Sequence, residues 1–457
     1  MVCKFLGKLF GSSGVRGISN KELSPNEIMK IGQSIVAEEG EGEVLIAHDT
    51  RTSKAIFFNA ITSGLLSGGA EIKVLGLATT PSLAYLTKEL SVKYGIMITA
   101  SHNPPQYNGI KVFDNDGIAY DDSKENRIED VYFSKKFRLV SWNEIKNVEE
   151  YSHKLEDYIE LISTSVEFHN KWNIALDIGC GASCFLAPRI IKNLNLNFMS
   201  INAQPDGFFP GRLSEPTETS LEDLSNIVKE LDFDLGIAFD GDADRVAFID
   251  EKGHFISMDK ALAAYSAYLV EKEGGNIVVP IDTSSCVDEA VLKKGGKVIR
   301  TGVGDSKVAK GLKKYSAIFG GEVSGAWINP KFHFCPDGIL SGILFLKAVE
   351  EDGRSISDFV SEIPSYPIVR TKVKCQNTLK NKIMNKVYER ITKPFQNITE
   401  ILTLDGVRVS TEDGWLLIRP SGTEPTIRVV AEAKNIKLSK KYLGIGINII
   451  KEILKGI

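Results

Sequence analysis

The sequence predicts an α/β protein: three similar α/β domains with mixed sheets, then a smaller C-terminal α+β domain. Three observations predict it. Short apolar runs alternate with amphipathic stretches, and this strand–helix rhythm recurs three times along the chain. The 457 residues suffice for roughly three or four domains of ~100–150 residues each. After Pro364 and Pro367 the rhythm gives way to closely spaced strands and one closing helix.

In the first stretch, Val44–Ala47 reads as a buried strand and Ser53–Ser67 as a helix with Ser53 as its cap. Ile72–Leu75 is the next strand, Pro81–Leu90 the next helix, and Gly95–Thr99 a third strand, an order that calls for parallel pairing. The polar run Asp121–Glu150 reads as a connector. The pattern resumes with strand Asn173–Ile178, helices Cys184–Lys192 and Leu221–Leu231, and strand Leu235–Phe239. A third copy runs from helix Met258–Glu273 through strands Ile277–Pro280, Val298–Arg300 and Ala317–Phe319, with helices Ser285–Lys294 and Val308–Tyr315 between them. Strands Val407–Val409, Trp415–Arg419 and Ile427–Ala433 and helix Ser439–Leu454 make up the last domain.

Composition excludes several classes. Hydrophobic residues at 43% and charged residues at 25% suit a globular chain rather than a disordered one. A formal charge of −4 gives no basic field for nucleic acid. No run of about 18 apolar residues is present, so no membrane span is expected, and the start of the chain lacks the apolar stretch of a signal peptide. The six cysteines are scattered without a CxxC pair, which fits buried free thiols in a reducing cytoplasm.

Loops at the carboxyl ends of strands carry the chemistry, as open α/β sheets require. Thr99-Ala100-Ser101-His102-Asn103-Pro104-Pro105 sets a hydroxyl and an imidazole in a loop stiffened by two prolines, which would hold a nucleophile in few conformations. Alone, it is equally a turn whose Ser and Asn bond their own backbone. Lys111, ten residues on, is a solvated side chain or a base for a hydroxyl. Asp240-Gly241-Asp242-Ala243-Asp244-Arg245 follows an apolar strand with carboxylates at every second position. Such crowding calls for a cation, and oxygen-only ligands favour Mg²⁺ or Ca²⁺ over zinc. One divalent cation with Arg245 would balance the three carboxylates, so a phosphate bringing about −1.5 to −2 needs basic groups from elsewhere.

Arg419-Pro420-Ser421-Gly422-Thr423-Glu424-Pro425 offers a guanidinium, two hydroxyls and loop amides to the several oxygens of a phosphate, or is a tight turn between strands. Gly321-Glu322-Val323-Ser324-Gly325 offers a carboxylate and a hydroxyl to vicinal sugar hydroxyls. Thr301-Gly302-Val303-Gly304-Asp305 has too few glycines for a dinucleotide fingerprint or a P-loop. Gly11–Gly17 is a loop whose Arg16 could reach an anion.

Together the Ser101, Asp240, Gly321 and Arg419 motifs resemble the α-D-phosphohexomutase family closely, in that family's order and spacing from Gly11 to Arg428. The resemblance implies four domains around a central cleft, one loop from each. They are a phosphoserine-bearing domain 1–148, a metal-binding domain 149–252, a sugar-binding domain 253–365 and a phosphate-binding domain 366–457. Ser101 would carry the transferable phosphate, with Asp240, Asp242 and Asp244 holding Mg²⁺ beside it. Arg16 and Arg245 would steady the phosphoserine, Lys111 would serve as general base and His102 would assist. Glu322 and Ser324 would hold sugar hydroxyls, and Thr301, Gly302 and Asp305 would orient the ring. Arg419, Ser421, Gly422 and Thr423 would hold the phosphate that is not reacting.

The implied activity interconverts hexose 1-phosphate and hexose 6-phosphate, activated by a hexose 1,6-bisphosphate, in a cytoplasmic monomer or homodimer. Glucose and mannose come first as the sugar, a phosphoglucosamine mutase is the alternative, and a sugar phosphatase using the same serine and metal stands behind both. Two positions depart from the family's branches. Ala326 stands where many members have His after Glu-x-Ser-Gly, and Ser306 follows a Gly304-Asp305 pair that otherwise resembles the phosphoglucosamine branch. His333 is expected to face the cleft.

Overall fold

The computed structural model describes residues 9–11, 14–421 and 424–456. The chain forms two compact units, one running up to Met258 and including Ser324–Val360, the other made of Asp259–Val323 and the chain from Ser361 onward.

The first unit contains two mixed sheets. A six-stranded sheet orders Val15–Ile18, Tyr107–Asp114, Tyr94–Ile98, Glu43–His48, Glu71–Leu77 and Val148–Glu150. Its last four strands run parallel, and Tyr107–Asp114 pairs antiparallel with neighbours on both sides. Helices Pro25–Glu39 and Lys54–Ser67 bury Ile28, Ile31, Ile35, Phe57, Ile61 and Leu65 against Val44, Ile46, Ile72, Ile96 and Ile98. Each such side chain contributes about 1.5–3 kcal/mol on leaving water. The four-stranded sheet orders Val246–Ile249, Leu235–Phe239, Asn173–Asp177 and Asn197–Ile201, with only the first pairing antiparallel. Phe248 stacks on Phe345 at 4.3 Å and meets Trp327 at 5.7 Å, which fixes the strand that follows the aspartate loop.

In the second unit, Lys297–Thr301, Asn276–Pro280 and Phe319–Gly321 run side by side in parallel. A five-stranded antiparallel sheet orders Ile368–Lys374, Thr426–Ala433, Gly414–Pro420, Val407–Thr411 and Ile398–Leu402. Helix Ile436–Lys455 packs Ile449, Ile450 and Ile453 into the same core as this sheet's Val429 and Ile418. Buried Arg408 joins the parts of this unit: it donates to the Ile281 and Thr283 carbonyls at 2.7 and 3.2 Å and lies 4.2 Å over Trp415. The Trp415 indole donates to Glu432, which also accepts from the Ser285 amide.

The expected strands and helices form, with three differences. Residues read as a connector contain helix Asp122–Ser134, which starts because the Asp121 carboxylate accepts from the Lys124 amide and holds because Ile128 is buried. Ser53 stands at its helix start without capping it; its hydroxyl instead meets Ser19 and the Asn108 amide. Helices Pro25–Glu39 (capped by Ser24), Leu155–Ser163, Gly338–Asp352 and Lys380–Arg390, and strands Asn197–Ile201, Val246–Ile249, Ile368–Lys374 and Ile398–Leu402, are among the elements that the sequence reading does not contain.

Candidate active site

Within the first unit, the ends of strands Tyr94–Ile98 and Leu235–Phe239 bring their loops together. Ser101 is buried and held in the left-handed backbone region at φ 50°, unusual for a residue with a Cβ. Its amide donates to Thr99 Oγ1 at 2.8 Å, and its carbonyl accepts from Arg51 Nη2 at 2.8 Å and Ser214 Oγ at 2.9 Å. The Ser101 hydroxyl donates to Asp240 Oδ2 at 2.7 Å and lies 3.2 Å from His102 Nδ1. Gly241 is required here: a Cβ on it would stand 2.7 Å from the Ser101 carbonyl oxygen.

Asp240, Asp242 and Asp244 are all buried, and one ligand atom from each lies within 4.8 Å of the others. Lys111 Nζ bridges Asp242 Oδ2 at 2.7 Å and Asp244 Oδ2 at 2.6 Å, and Thr80 donates a short hydrogen bond to Asp242. Asp242 Oδ1 and Asp244 Oδ1 are buried with no hydrogen-bond partner. Burial, then the charges of Asp244 and Asp242, pushes Asp240 up. Burial pushes Asp242 the same way, but Lys111 and Thr80 outweigh it and hold that carboxyl below the usual range. Two buried hard oxygens without a hydrogen bond, one of them with only Arg245 Nε nearby at 3.9 Å, fit a divalent cation such as Mg²⁺ in a cluster of three carboxylates, because removing such groups from water unsatisfied is costly.

Arg245 pairs with Glu215 at 3.3 Å, and Arg16 donates to Asn103 Oδ1 at 2.9 Å. The structure therefore gathers Ser101, His102, Lys111, Arg16, Arg245 and the three aspartates around one point. Burial, with Arg245 and Arg16 nearby, lowers His102 to about 2, so its imidazole is neutral. A groove of about 430 Å³ beside them runs between His102–Pro105 and Phe208–Glu215.

The remaining predicted residues fall elsewhere. Ser324 belongs to the first unit. In the second, the Gly304 amide donates to Glu322 Oε1 at 2.8 Å, which ties Glu322 to the loop of Thr301, Gly302 and Asp305. Asp405 pairs with Arg419 Nη1 at 3.0 Å and accepts from the Val303 amide at 3.4 Å, linking that loop to the Arg419 loop. Lys380 donates to the carbonyls of Ser421 and Glu424. Gly422 and Thr423 lie outside the described residues. His333 does not face a cleft. It is buried, bonded through Nε2 to Asp337 at 2.9 Å, where Tyr158 also donates.

Sequence reasoning missed Asp49, Arg51, Thr80, Ser214, Glu215, Lys380 and Asp405. A signal existed for Asp49 and Arg51, which leave the end of strand Glu43–His48 just as the recognised loops leave theirs. Thr80 and Ser214 had none.

The family described as phosphoglucomutase/phosphomannomutase matches through all four of its domain descriptions. Its alpha/beta/alpha domains I, II and III match residues 7–139, 149–253 and 257–366, and its C-terminal domain matches 371–442. Phosphoglucosamine mutase of Methanocaldococcus jannaschii is 41% identical over 457 residues, covering 99% of this chain and 100% of that protein. A probable phosphoglucosamine mutase of Pyrococcus horikoshii is 39% identical over 453 residues, covering 99% and 100%. A phosphoglucomutase/phosphomannomutase family protein of Burkholderia thailandensis shares the fold at a TM-score of 0.86 with 24% identity, covering 98% of each chain. Among the described residues, no helix is long and apolar enough to cross a membrane.

Proposed function

The chain belongs to the phosphoglucomutase/phosphomannomutase family of phosphohexomutases, and from that premise we propose that it interconverts glucosamine 6-phosphate and glucosamine 1-phosphate through a phosphorylated Ser101. The observation that carries the chemistry is the Ser101 hydroxyl seated on Asp240 inside a buried trio of carboxylates, two of which keep an oxygen that accepts no hydrogen bond. The sugar rests on the relatives named above, phosphoglucosamine mutases at 39% and 41% identity over nearly the whole chain, and on the Gly304-Asp305 pair. These favour glucosamine over the glucose and mannose that the motifs alone put first.

Phosphoryl transfer needs positioning and charge neutralisation more than covalent help. Bound by Asp240, Asp242, Asp244 and the phosphorylated Ser101, Mg²⁺ would supply that neutralisation as a Lewis acid. Arg245 and Arg16 add fixed positive charge beside Ser101. The phosphorus–Oγ bond breaks as a new bond forms to the sugar hydroxyl, whose proton passes to Lys111 once that amine has given up its own proton to solvent. In the ligand-free chain Lys111 is the counter-ion of Asp242 and Asp244, so this role requires those carboxylates to find positive charge elsewhere. His102, neutral and 3.2 Å from Oγ, orients the serine oxygen. The sugar bisphosphate then turns end for end and Ser101 recovers the other phosphate. Arg419, with the loop that Lys380 braces, receives whichever phosphate is not reacting, and Glu322 with the Thr301–Asp305 loop reads the ring.

The test is a substrate panel of the 6-phosphates of glucosamine, N-acetylglucosamine, glucose and mannose, each primed with a trace of hexose 1,6-bisphosphate and Mg²⁺. Glucosamine 6-phosphate should show the highest kcat/KM, with total sugar phosphate conserved. A preference for glucose or mannose would overturn the sugar assignment. Stoichiometric release of inorganic phosphate would show a phosphatase instead.

A further inference from the structure

We infer that Arg51 is the positioning residue of the phosphoryl-carrying serine: its guanidinium fork fixes the backbone of the Ser101–Tyr107 loop and so the place of Ser101 Oγ. Arg51 is fully buried and touches neither the carboxylate trio nor the serine hydroxyl. Its Nη2 donates to the carbonyls of Ser101 at 2.8 Å and Asn103 at 2.6 Å, and its Nη1 to those of Pro104 at 2.7 Å and Tyr107 at 2.8 Å. Its Nε donates to Asp49 at 3.1 Å, and the ring of Phe209 lies 5.2 Å beneath the guanidinium carbon. One side chain thus satisfies four carbonyls across seven residues of a loop with little regular structure, a task for a planar, five-donor group that a lysine cannot perform.

The second half of the clamp runs through Asp49. Its Oδ2 accepts from Thr99 Oγ1 at 2.6 Å, and that same Thr99 oxygen accepts the Ser101 amide at 2.8 Å. The Ser101 peptide is therefore pinned on both faces, its amide through Thr99 to Asp49 and its carbonyl by Arg51. That is what a left-handed serine needs in order to persist. Were these bonds lost, the residue would relax toward the ordinary backbone regions and carry Oγ away from Asp240. A shift of an ångström at a reacting atom lowers rate by about 100-fold. A structural filler would not need to gather the loop's carbonyls on one fork, and the cluster of bonds on Ser101 points to the nucleophile as what is being held.

The catalytic half of this inference rests on the mutase reading; the positional half does not. Arg51→Lys keeps the charge against Asp49 and removes the fork. Phe209→Leu keeps every hydrogen bond and removes only the ring under the guanidinium. For both, amide hydrogen–deuterium exchange of the 99–107 peptide is compared with wild type, alongside phosphorylation of Ser101 by labelled glucose 1,6-bisphosphate and the kcat and KM for glucosamine 6-phosphate. In Arg51→Lys, exchange should rise in that peptide alone. Ser101 labelling and kcat should fall together by about 100-fold, with KM within threefold. Phe209→Leu should show the same pattern at about fivefold, which decides the matter if the lysine variant does not fold. Unchanged exchange in the peptide, or a loss carried by KM with labelling intact, would overturn the inference. If wild type takes no label, the mutase reading fails instead, and the exchange comparison still decides whether Arg51 holds the loop.

Discussion

Lys111 makes the sharpest prediction because its charge does two things in one place. It is 3% exposed, and its ammonium sits 2.7 and 2.6 Å from two carboxylates of a buried trio. Lys111→Met fills similar volume and leaves the trio without that cation. Removing one partner of a buried ion pair costs about 3–5 kcal/mol, because the remaining charge stays desolvated. At about 2.1 cal/mol/K of unfolding entropy per residue, that is roughly 5–8 °C in melting temperature for a unit of this size. The loss should be largest in EDTA. Mg²⁺ at a hundredfold its Kd returns about 2.7 kcal/mol to whichever form binds it, and the variant, freed of a competing ammonium, should bind it more tightly than wild type.

The pH slope supplies an independent sign. In wild type, Asp242 is held below the usual carboxyl range, so its stabilisation is present above about pH 4 and lost as pH falls further. Without Lys111 only Thr80 and Arg16 still oppose the burial of Asp242, so its carboxyl should move up from its wild-type position, and the stability lost as pH falls from 8 toward 3 should be smaller than in wild type. Differential scanning fluorimetry of the first unfolding transition, in EDTA and in Mg²⁺ across that pH range, reads all three effects. Equal melting in EDTA, or a Mg²⁺ shift no larger in the variant than in wild type, would refute the picture of Lys111 as the stand-in for a cation. Mutase activity should be lost in either case.

His102, lowered to about 2, is neutral throughout the working range. The pH profile of kcat/KM between 5 and 9 should therefore keep its shape in His102→Gln while its height drops; loss of an acidic limb in the variant would contradict this. Asp259 in the second unit is pushed up to about 6 by burial, so its charged form opposes folding and stability should grow as pH falls from 7 toward 4. Asp259→Asn should remove that dependence and stabilise the unit at pH 7.5 by about 1–2 kcal/mol, discounted for residual solvent contact, as read by chemical denaturation. All five described cysteines are buried, with Cys184 and Cys286 pushed up to about 11 and 12, so a thiol reagent at pH 8 should label none of them before unfolding. Rapid native labelling of Cys184 or Cys286 would show the structure to be more open than described.

What could be read from the sequence follows the range over which each interaction acts. The strands Glu43–His48, Tyr94–Ile98 and Leu235–Phe239 announced themselves through apolar runs, and each ends in a polar loop, so Ser101 and the aspartates were legible as loop residues. Helix Asp122–Ser134 was not, because its mean hydropathy is low and only a few of its side chains, Ile128 foremost, face the core; its charged outer face reads as linker. The short strand Val246–Ile249 hid for a different reason: it is antiparallel and follows the aspartate loop directly, where the parallel rhythm leads one to expect a helix.

The site divides the same way. Residues that bear the reactive atoms sit in compact motifs, while those that position them act across long separations: 139 residues between Ser101 and Asp240, 131 between Lys111 and Asp242, 162 between Thr80 and Asp242. No local pattern encodes such pairs. Arg51 is the instructive case between the extremes. A charged residue three steps past a strand's end, two after an aspartate that can take its Nε, looks like any solvated turn in sequence. Only its complete burial, with four carbonyls waiting for it, separates an anchor from a surface arginine. An arginine excluded from water has to find as many acceptors as it has lost. Where four of those acceptors belong to the Ser101–Tyr107 loop, the cost of burying the charge has been turned into geometry at Ser101.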